Sequence, residues 1–250
     1  MMNMTETVKQ LIIINVLLYV GTIMVPAALD FLPMFYFENP NFKVWQVITH
    51  MFMHAPFPNF MHILFNMFAL YSFGSSLEHF WGGRKFLFFY ISCGLGAMLL
   101  HNAINYYAFH SIYDTMINSG LKPSEISSFL DTGSIKYNDE LIRRSDLQAI
   151  LEIYNGRMLG ASGAIYGLLV AFAFMFPNAG LALIFLPVPV KAKYFVPGLL
   201  LLDLFLGVKG NSIFGGGTGI AHFAHIGGAI IGFIMMSYWK KNQFNDNRWN

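Results

Sequence analysis

The residues with types suited to acyl chemistry are Ser162 in "GASGAIYG", His225 in "AHIGG", and His62 with Asn66 in "HILFNMF". A serine hydroxyl is a poor nucleophile until a base accepts its proton, and His225 is the candidate base. The oxyanion that forms when a hydroxyl attacks a carbonyl needs donors aimed at it. The Ser162 N–H at a helix start, helped by the helix dipole, is one such donor. His62 and Asn66 supply others, and their spacing of four puts them on one helical face. Asp203 is an acid in a neighbouring apolar stretch, but no motif links it to the imidazole. The residues therefore point to a Ser–His dyad and not to a triad.

These side chains sit in unusual surroundings. Hydrophobic residues make up 56% of the 250-residue chain and charged residues only 11%, against about 25% charged in a soluble domain. Such a chain must meet a solvent other than water. The net charge of +2 and the absence of basic clusters exclude a nucleic-acid partner. Cys93 is the single cysteine, so no intrachain disulfide can form.

Crossing the hydrocarbon core takes about 20 apolar residues. Residues 11–31, 61–77, 86–109 and 220–239 meet that length, and the shorter stretches 162–176 and 194–208 complete an expected set of six spans. The "LALIFLPVPV" stretch between the last two short spans, broken by Pro187 and Pro189, reads as an interfacial or re-entrant turn. The first span exceeds the apolar core of a signal peptide and is expected to be retained. The expected organisation is a cytoplasmic N-terminus over 1–10, a six-helix membrane domain over 11–239 with a loop insertion at about 110–159, and a cytoplasmic tail over 240–250. Lys and Arg in the short loops place both termini inside, and the expected location is a bacterial-type inner (plasma) membrane. Within the insertion, "NDELIRRSDLQAILEIYNG" has the apolar stripe of a surface helix, with Asn138 as its cap and Gly156 at its end.

In this topology Ser162, His62, Asn66 and His225 all fall at one depth, near the outer end of the bundle. A strongly polar group in a membrane span is costly and by default functional. The glycines suggest how the groups meet. Gly163, Gly167 and Ala171 form one small-residue face, and Ala224, Gly228 and Gly232 form another. Small residues four apart let two helices approach closely in lipid. If these faces meet, His225 comes within hydrogen-bond reach of Ser162, and Tyr166, one turn below the serine, packs on the imidazole.

Together these motifs resemble the rhomboid family of intramembrane serine proteases. "HILFNMF", "GASGAIYG" and "AHIGG" carry the likeness, with "VWQVITHMFMH", Glu78 and "LLDLFLG" in support. The resemblance implies an all-α polytopic membrane protein, a six-transmembrane-helix bundle whose first outer loop is partly embedded in the membrane. It implies Ser162 as nucleophile, His225 as general base, and His62 and Asn66 lining the oxyanion hole. Tyr166, Gly160, Gly163 and Gly228 are supporting positions. It further implies cleavage of single-pass transmembrane protein substrates within membrane lipid, near its outer face, with neither metal nor cofactor. The glycine-rich "GVKGNSIFGGGTG" would cap the site. Two features depart from the family pattern: Trp45–Gln46 stands where Trp-Arg is frequent, and both "APFPNF" and the long loop are insertions.

Blander readings compete at several positions. Ser162 alone would be a packing residue; its company makes it a nucleophile. His222, one turn nearer the surface, reads as a cavity-lining residue. His50 and His54 have metal-ligand spacing but no carboxylate to complete a site, so structural hydrogen bonding is expected of them. A non-cleaving relative that only grips transmembrane segments is the alternative function, though such a chain would be expected to lack the Ser or the His. A transporter would call for an inverted repeat, which the sequence does not contain.

Overall fold

The apolar run at the start of the chain folds as α1 (Glu6–Met24), in a computed structural model that describes residues 3–183, 186–209 and 221–243. A helix start leaves backbone N–H groups without partners, and those of α1 are met from another helix. Thr7 and Val8 N–H each donate to the Glu78 carboxylate at 2.9 Å, and the Thr5 hydroxyl donates to it at 2.5 Å. A carboxylate at a helix N-terminus also matches the helix dipole. The helix ends before Pro26, which opens a 3-10 turn (Pro26–Asp30). The first helix is therefore earlier and shorter than residues 11–31, because Pro26 cannot donate the bond that would continue it.

A loop segment follows, carrying β1 (Met34–Phe35), α2 (Gln46–Thr49) and a 3-10 turn at His50–Phe52. Gln46 organises it. Its buried amide nitrogen donates to the Phe31 and Asn41 carbonyls at 3.1 Å, and its oxygen accepts from Lys43 N–H at 3.1 Å and Phe35 N–H at 3.3 Å. In place of the arginine frequent in the family, this neutral amide satisfies four backbone groups. Met51 then fills the space left by Gly94, where any side chain would overlap it.

α3 (Met61–Ala69) continues through a π-helical turn (Leu70–Gly74) into α4 (Ser75–Trp81). Gly82, at φ 74°, takes a left-handed conformation that glycine adopts at little cost and turns the chain into α5 (Gly83–Asn118). The 36 residues of α5 reach about 54 Å at 1.5 Å each, well beyond the ~30 Å hydrocarbon core. Its far end is the mast for α6 (Pro123–Thr132) and α7 (Arg144–Asn155). Ile126, Phe129, Leu147, Ile150 and Ile153 pack there against Phe109 and Met116 in a second hydrophobic core. The insertion is thus a folded cap on one end of α5. α7 begins at Arg144; Asn138 instead closes a turn, accepting from Glu140 N–H at 2.9 Å.

β2 (Arg157–Met158) pairs antiparallel with β1, Met34 opposite Met158, and leads into α8 (Ser162–Met175). The described residues of the "LALIFLPVPV" stretch, read as a turn, lie in the antiparallel pair β3 (Gly180–Leu183) and β4 (Leu186–Lys191). α9 (Ala192–Lys209) and α10 (Ala221–Gln243) complete the described elements. By length and composition α1 and α5 are long and apolar enough to cross a membrane, and α8 is a shorter apolar helix.

The two small-residue faces meet. A methyl group at position 228 would overlap the Gly163 carbonyl oxygen, and one at position 232 would lie 2.8 Å from Gly167 Cα. α5 is a third partner in this contact. Its Ala97 closes on Gly163, its Cys93 on Gly167, and a methyl at position 227 would sit 2.6 Å from the Gly96 carbonyl oxygen. Gly228→Ala is therefore expected to destabilise the protein by about 1–3 kcal/mol, the usual cost of overpacking. Gly21→Ala on α1, where a methyl meets nothing, is the control. Equal unfolding midpoints for the two variants in detergent would contradict the contact.

Candidate active site

Ser162 is the first residue of α8, and the chain reaches it through a tight approach. Gly160 has φ 120°, a backbone state that disfavours any side chain. A methyl there would also come within 3.1 Å of His62 Nε2. Gly160 N–H donates to the His50 carbonyl at 3.0 Å. The first loop is thereby tied to the residue that precedes the hydroxyl by two.

From α10, His225 Nε2 lies 3.0 Å from Ser162 Oγ. The Tyr166 ring stacks on the imidazole, with centroids 4.2 Å apart and planes 8° apart. Ser162, His225 and Tyr166 are thus brought together by the glycine-mediated contact of α8 with α10, in the arrangement the small-residue faces imply.

His62 projects from α3 toward Gly160. Its Nδ1 accepts a hydrogen bond from Ala55 N–H at 3.1 Å. An imidazole nitrogen that accepts carries no proton, so in the neutral ring the proton sits on Nε2. The nitrogen on the serine side is therefore a donor, as an oxyanion requires. Asn66 is buried one turn further along α3, and its Nδ2 donates to the His62 carbonyl at 2.8 Å. Among the described residues no hydrogen bond joins Asn66 to Ser162. Its amide has a second N–H, and this turn of α3 supports the His62 backbone.

The other first-loop histidines divide. His50 is buried, and its Nδ1 donates to the Gln46 carbonyl at 2.8 Å. Structural hydrogen bonding was expected of His54 as well; its buried ring faces the Phe52 backbone without a hydrogen bond of full geometry among the described residues, and it packs against the His62 ring at 5.2 Å. Burial, with the nearby His62 ring adding to it, lowers the His54 imidazole to about 3.

Sequence reasoning missed Asp203. The reading that left Asp203 unlinked to the imidazole is corrected here: the Asp203 carboxylate, on α9, reaches both histidines of α10. Its Oδ1 is 3.3 Å from His225 Nδ1 and in closer contact with His222 Nδ1. His222, expected to line a cavity, is buried against it. The Tyr166 hydroxyl faces the same carboxylate. The signal was present in "LLLLDLFLG": an isolated carboxylate in an apolar helix is costly unless partnered. Asp203, His222 and His225 offer ligand atoms within 4.8 Å of one another, close enough to hold a cation. Their mutual hydrogen bonds account for that closeness. The glycine-rich stretch expected to cap the site lies, from residue 210 to its end at 219, outside the described residues.

A family profile for the rhomboid domain matches residues 41–113 and 141–241, well over half of the chain. An uncharacterized mitochondrial rhomboid protein of Schizosaccharomyces pombe is 26% identical over 212 residues, 79% of this chain and 52% of that protein. Presenilin-associated rhomboid-like protein A, mitochondrial, of Danio rerio is 26% identical over 227 residues, 88% of this chain and 45% of its own length. RHOMBOID-like protein 12, mitochondrial, of Arabidopsis thaliana is 28% identical over 209 residues, 82% and 50% respectively. The chain spans about half the length of the curated relatives it matches. These relatives are mitochondrial by name, which overturns the expectation of a bacterial-type plasma membrane. Loop charges report on which side a loop lies; they carry no information on which membrane is crossed.

The tautomer of His62 can be read directly. Nitrogen-15 NMR of histidine-labelled protein, with the His62 signals assigned by their loss in His62→Gln, should find Nδ1 unprotonated and Nε2 protonated at neutral pH. The opposite tautomer would remove His62 as a donor toward the serine.

Proposed function

The chain belongs to the rhomboid family, and from that premise we propose that it is an intramembrane serine endopeptidase. Its substrates are single-pass transmembrane proteins, cut where the polypeptide enters the Ser162 end of the bundle. We read α1, α3 with α4, α5, α8, α9 and α10 as the six spans of that bundle, set in membrane lipid. The observation that carries the proposal is the 3.0 Å contact of Ser162 Oγ with His225 Nε2 beneath the stacked Tyr166 ring.

The reaction follows from the roles of the side chains. Ser162 Oγ attacks the scissile carbonyl carbon as its proton passes to His225 Nε2. The carbonyl electron pair moves to oxygen, where the Ser162 N–H and the His62 Nε2–H receive it. The tetrahedral intermediate collapses with loss of the amine, which takes its proton from His225. Water then adds to the acyl-enzyme with His225 again accepting a proton; the ester C–Oγ bond breaks as His225 returns that proton to Ser162 Oγ, and the carboxylic acid leaves. No metal or cofactor takes part in these steps, and no nucleic acid is a partner. A protein that only gripped transmembrane segments would have no use for a hydroxyl aligned on an imidazole.

Fluorophosphonate labelling of the protein in membranes or detergent tests the assignment. Labelling is expected to vanish in Ser162→Ala and to fall by roughly a hundred-fold or more in His225→Ala, in line with the loss of a triad member elsewhere. Labelling that persists in Ser162→Ala would refute the nucleophile. A second test concerns the oxyanion: His62→Ala should lower turnover of a transmembrane substrate by about 10²–10³, the usual effect of removing one such donor. Turnover at the wild-type level would take His62 out of the mechanism.

A further inference from the structure

We propose that Asp203 is the positioning residue for His225, with His222 as the anchor that holds the carboxylate in place. The inference rests on the Ser162–His225 reading and deepens it. His225 can accept the serine proton at Nε2 only if its own proton is on Nδ1. That tautomer needs an acceptor beside Nδ1, and the Asp203 Oδ1 is there at 3.3 Å.

The surroundings explain how the acceptor is kept in place. His222 and His225 are three residues apart on α10, so both present Nδ1 to one side of the helix. Asp203 approaches from α9 and places a single oxygen against both. The shorter contact is to His222, which is only 6% exposed, while Asp203 itself is 2% exposed. A charge-assisted hydrogen bond to a buried partner is short and directional, and it locks the carboxylate. The imidazole of His225 is the more open of the two, with 21% of its side chain exposed, as suits the ring that must meet substrate. The ring is also constrained: Tyr166 covers one face by stacking, and Asp203 fixes the in-plane rotation. Ring, tautomer and direction are thereby set before a substrate arrives.

In the reaction the carboxylate exchanges no proton. As Ser162 Oγ bonds to the carbonyl carbon, the serine proton moves to His225 Nε2 and the ring becomes imidazolium, holding N–H at both nitrogens. Asp203 accepts the Nδ1–H throughout and balances the new positive charge. When the C–N bond breaks, the Nε2 proton leaves with the amine and the ring returns to its starting tautomer. This is the role a buried aspartate plays toward the base in Ser-His-Asp hydrolases, reached here from a separate helix.

The test uses the full chain in detergent and a fluorophosphonate as the probe. Asp203→Asn is expected to slow the maximal labelling rate of Ser162 by about ten-fold or more, leaving the probe concentration at half-maximal rate within about two-fold. Asp203→Glu, which restores the charge, should recover part of the loss. A residue that acts only through His225 must be silent once His225 is gone. Asp203→Asn in a His225→Ala background should therefore leave the residual labelling unchanged. If that double variant loses the same factor as Asp203→Asn alone, Asp203 is merely structural and the proposal fails. Wild-type labelling by Asp203→Asn would overturn it as well. Should the Asn variant not fold, Asp203→Glu goes through the same cycle with the same criterion. Labelling that needs Ser162 and His225 but ignores Asp203 removes only this assignment; labelling that ignores Ser162 removes the protease reading itself.

Discussion

The approach of α8 to α10 at Gly163 and Gly228 is the contact from which the site is built. There is no space for a methyl group between the Gly228 Cα and the Gly163 carbonyl, so the helices touch backbone to backbone. Only at that separation does His225, three residues before Gly228, meet Ser162, one residue before Gly163. A larger residue at either glycine would push His225 away from the Ser162 hydroxyl by the width of a side chain. Cys93, Gly96 and Ala97 of α5 close the third side, which makes a three-helix contact of what a pairwise argument treats as two. In lipid such packing replaces the hydrophobic drive that holds soluble cores together.

Around that contact, three buried polar side chains find their partners close by. Glu78 takes up the N–H groups that begin α1. Gln46 satisfies four backbone groups of the first loop. Asp203 meets both histidines of α10. The first loop is in turn stitched to the serine through Gly160 and His50, and Ala55 sets the tautomer of His62. The loop is thus part of the site's frame, because it supplies the donors and acceptors that orient groups carried on helices.

The folded insertion is a different kind of element. Its core forms between α6, α7 and the far end of α5, and it reaches the site end of the bundle through β2, which pairs with β1. The strand pair holds the chain between Met158 and Ser162 in register with the first loop. Asn39 adds to this by donating to the Tyr154 carbonyl at 2.7 Å.

Much of the site could be read from residue types and intervals. Ser162, His225 and Tyr166 are legible because helical spacing and small-residue faces are local, periodic properties that survive into the folded state. The stripe Leu141, Leu147, Ile150, Leu151 and Tyr154 marked α7 for the same reason, although its start was misplaced: Asn138 serves a turn and Leu141 lies exposed before the helix. Other features depend on contacts between segments far apart in the chain. Asp203 stands 22 residues from His225, and no interval encodes which way α9 faces. The His62 tautomer depends on a loop N–H, and the third partner of the glycine contact depends on where α5 passes. The sequence by itself determined which groups could react and which helix faces could touch, since these follow from side-chain chemistry and a fixed helical repeat. Only the tertiary structure decided which acid faces the base and which nitrogen donates, since hydrogen bonds between distant segments depend on orientations that no local pattern specifies.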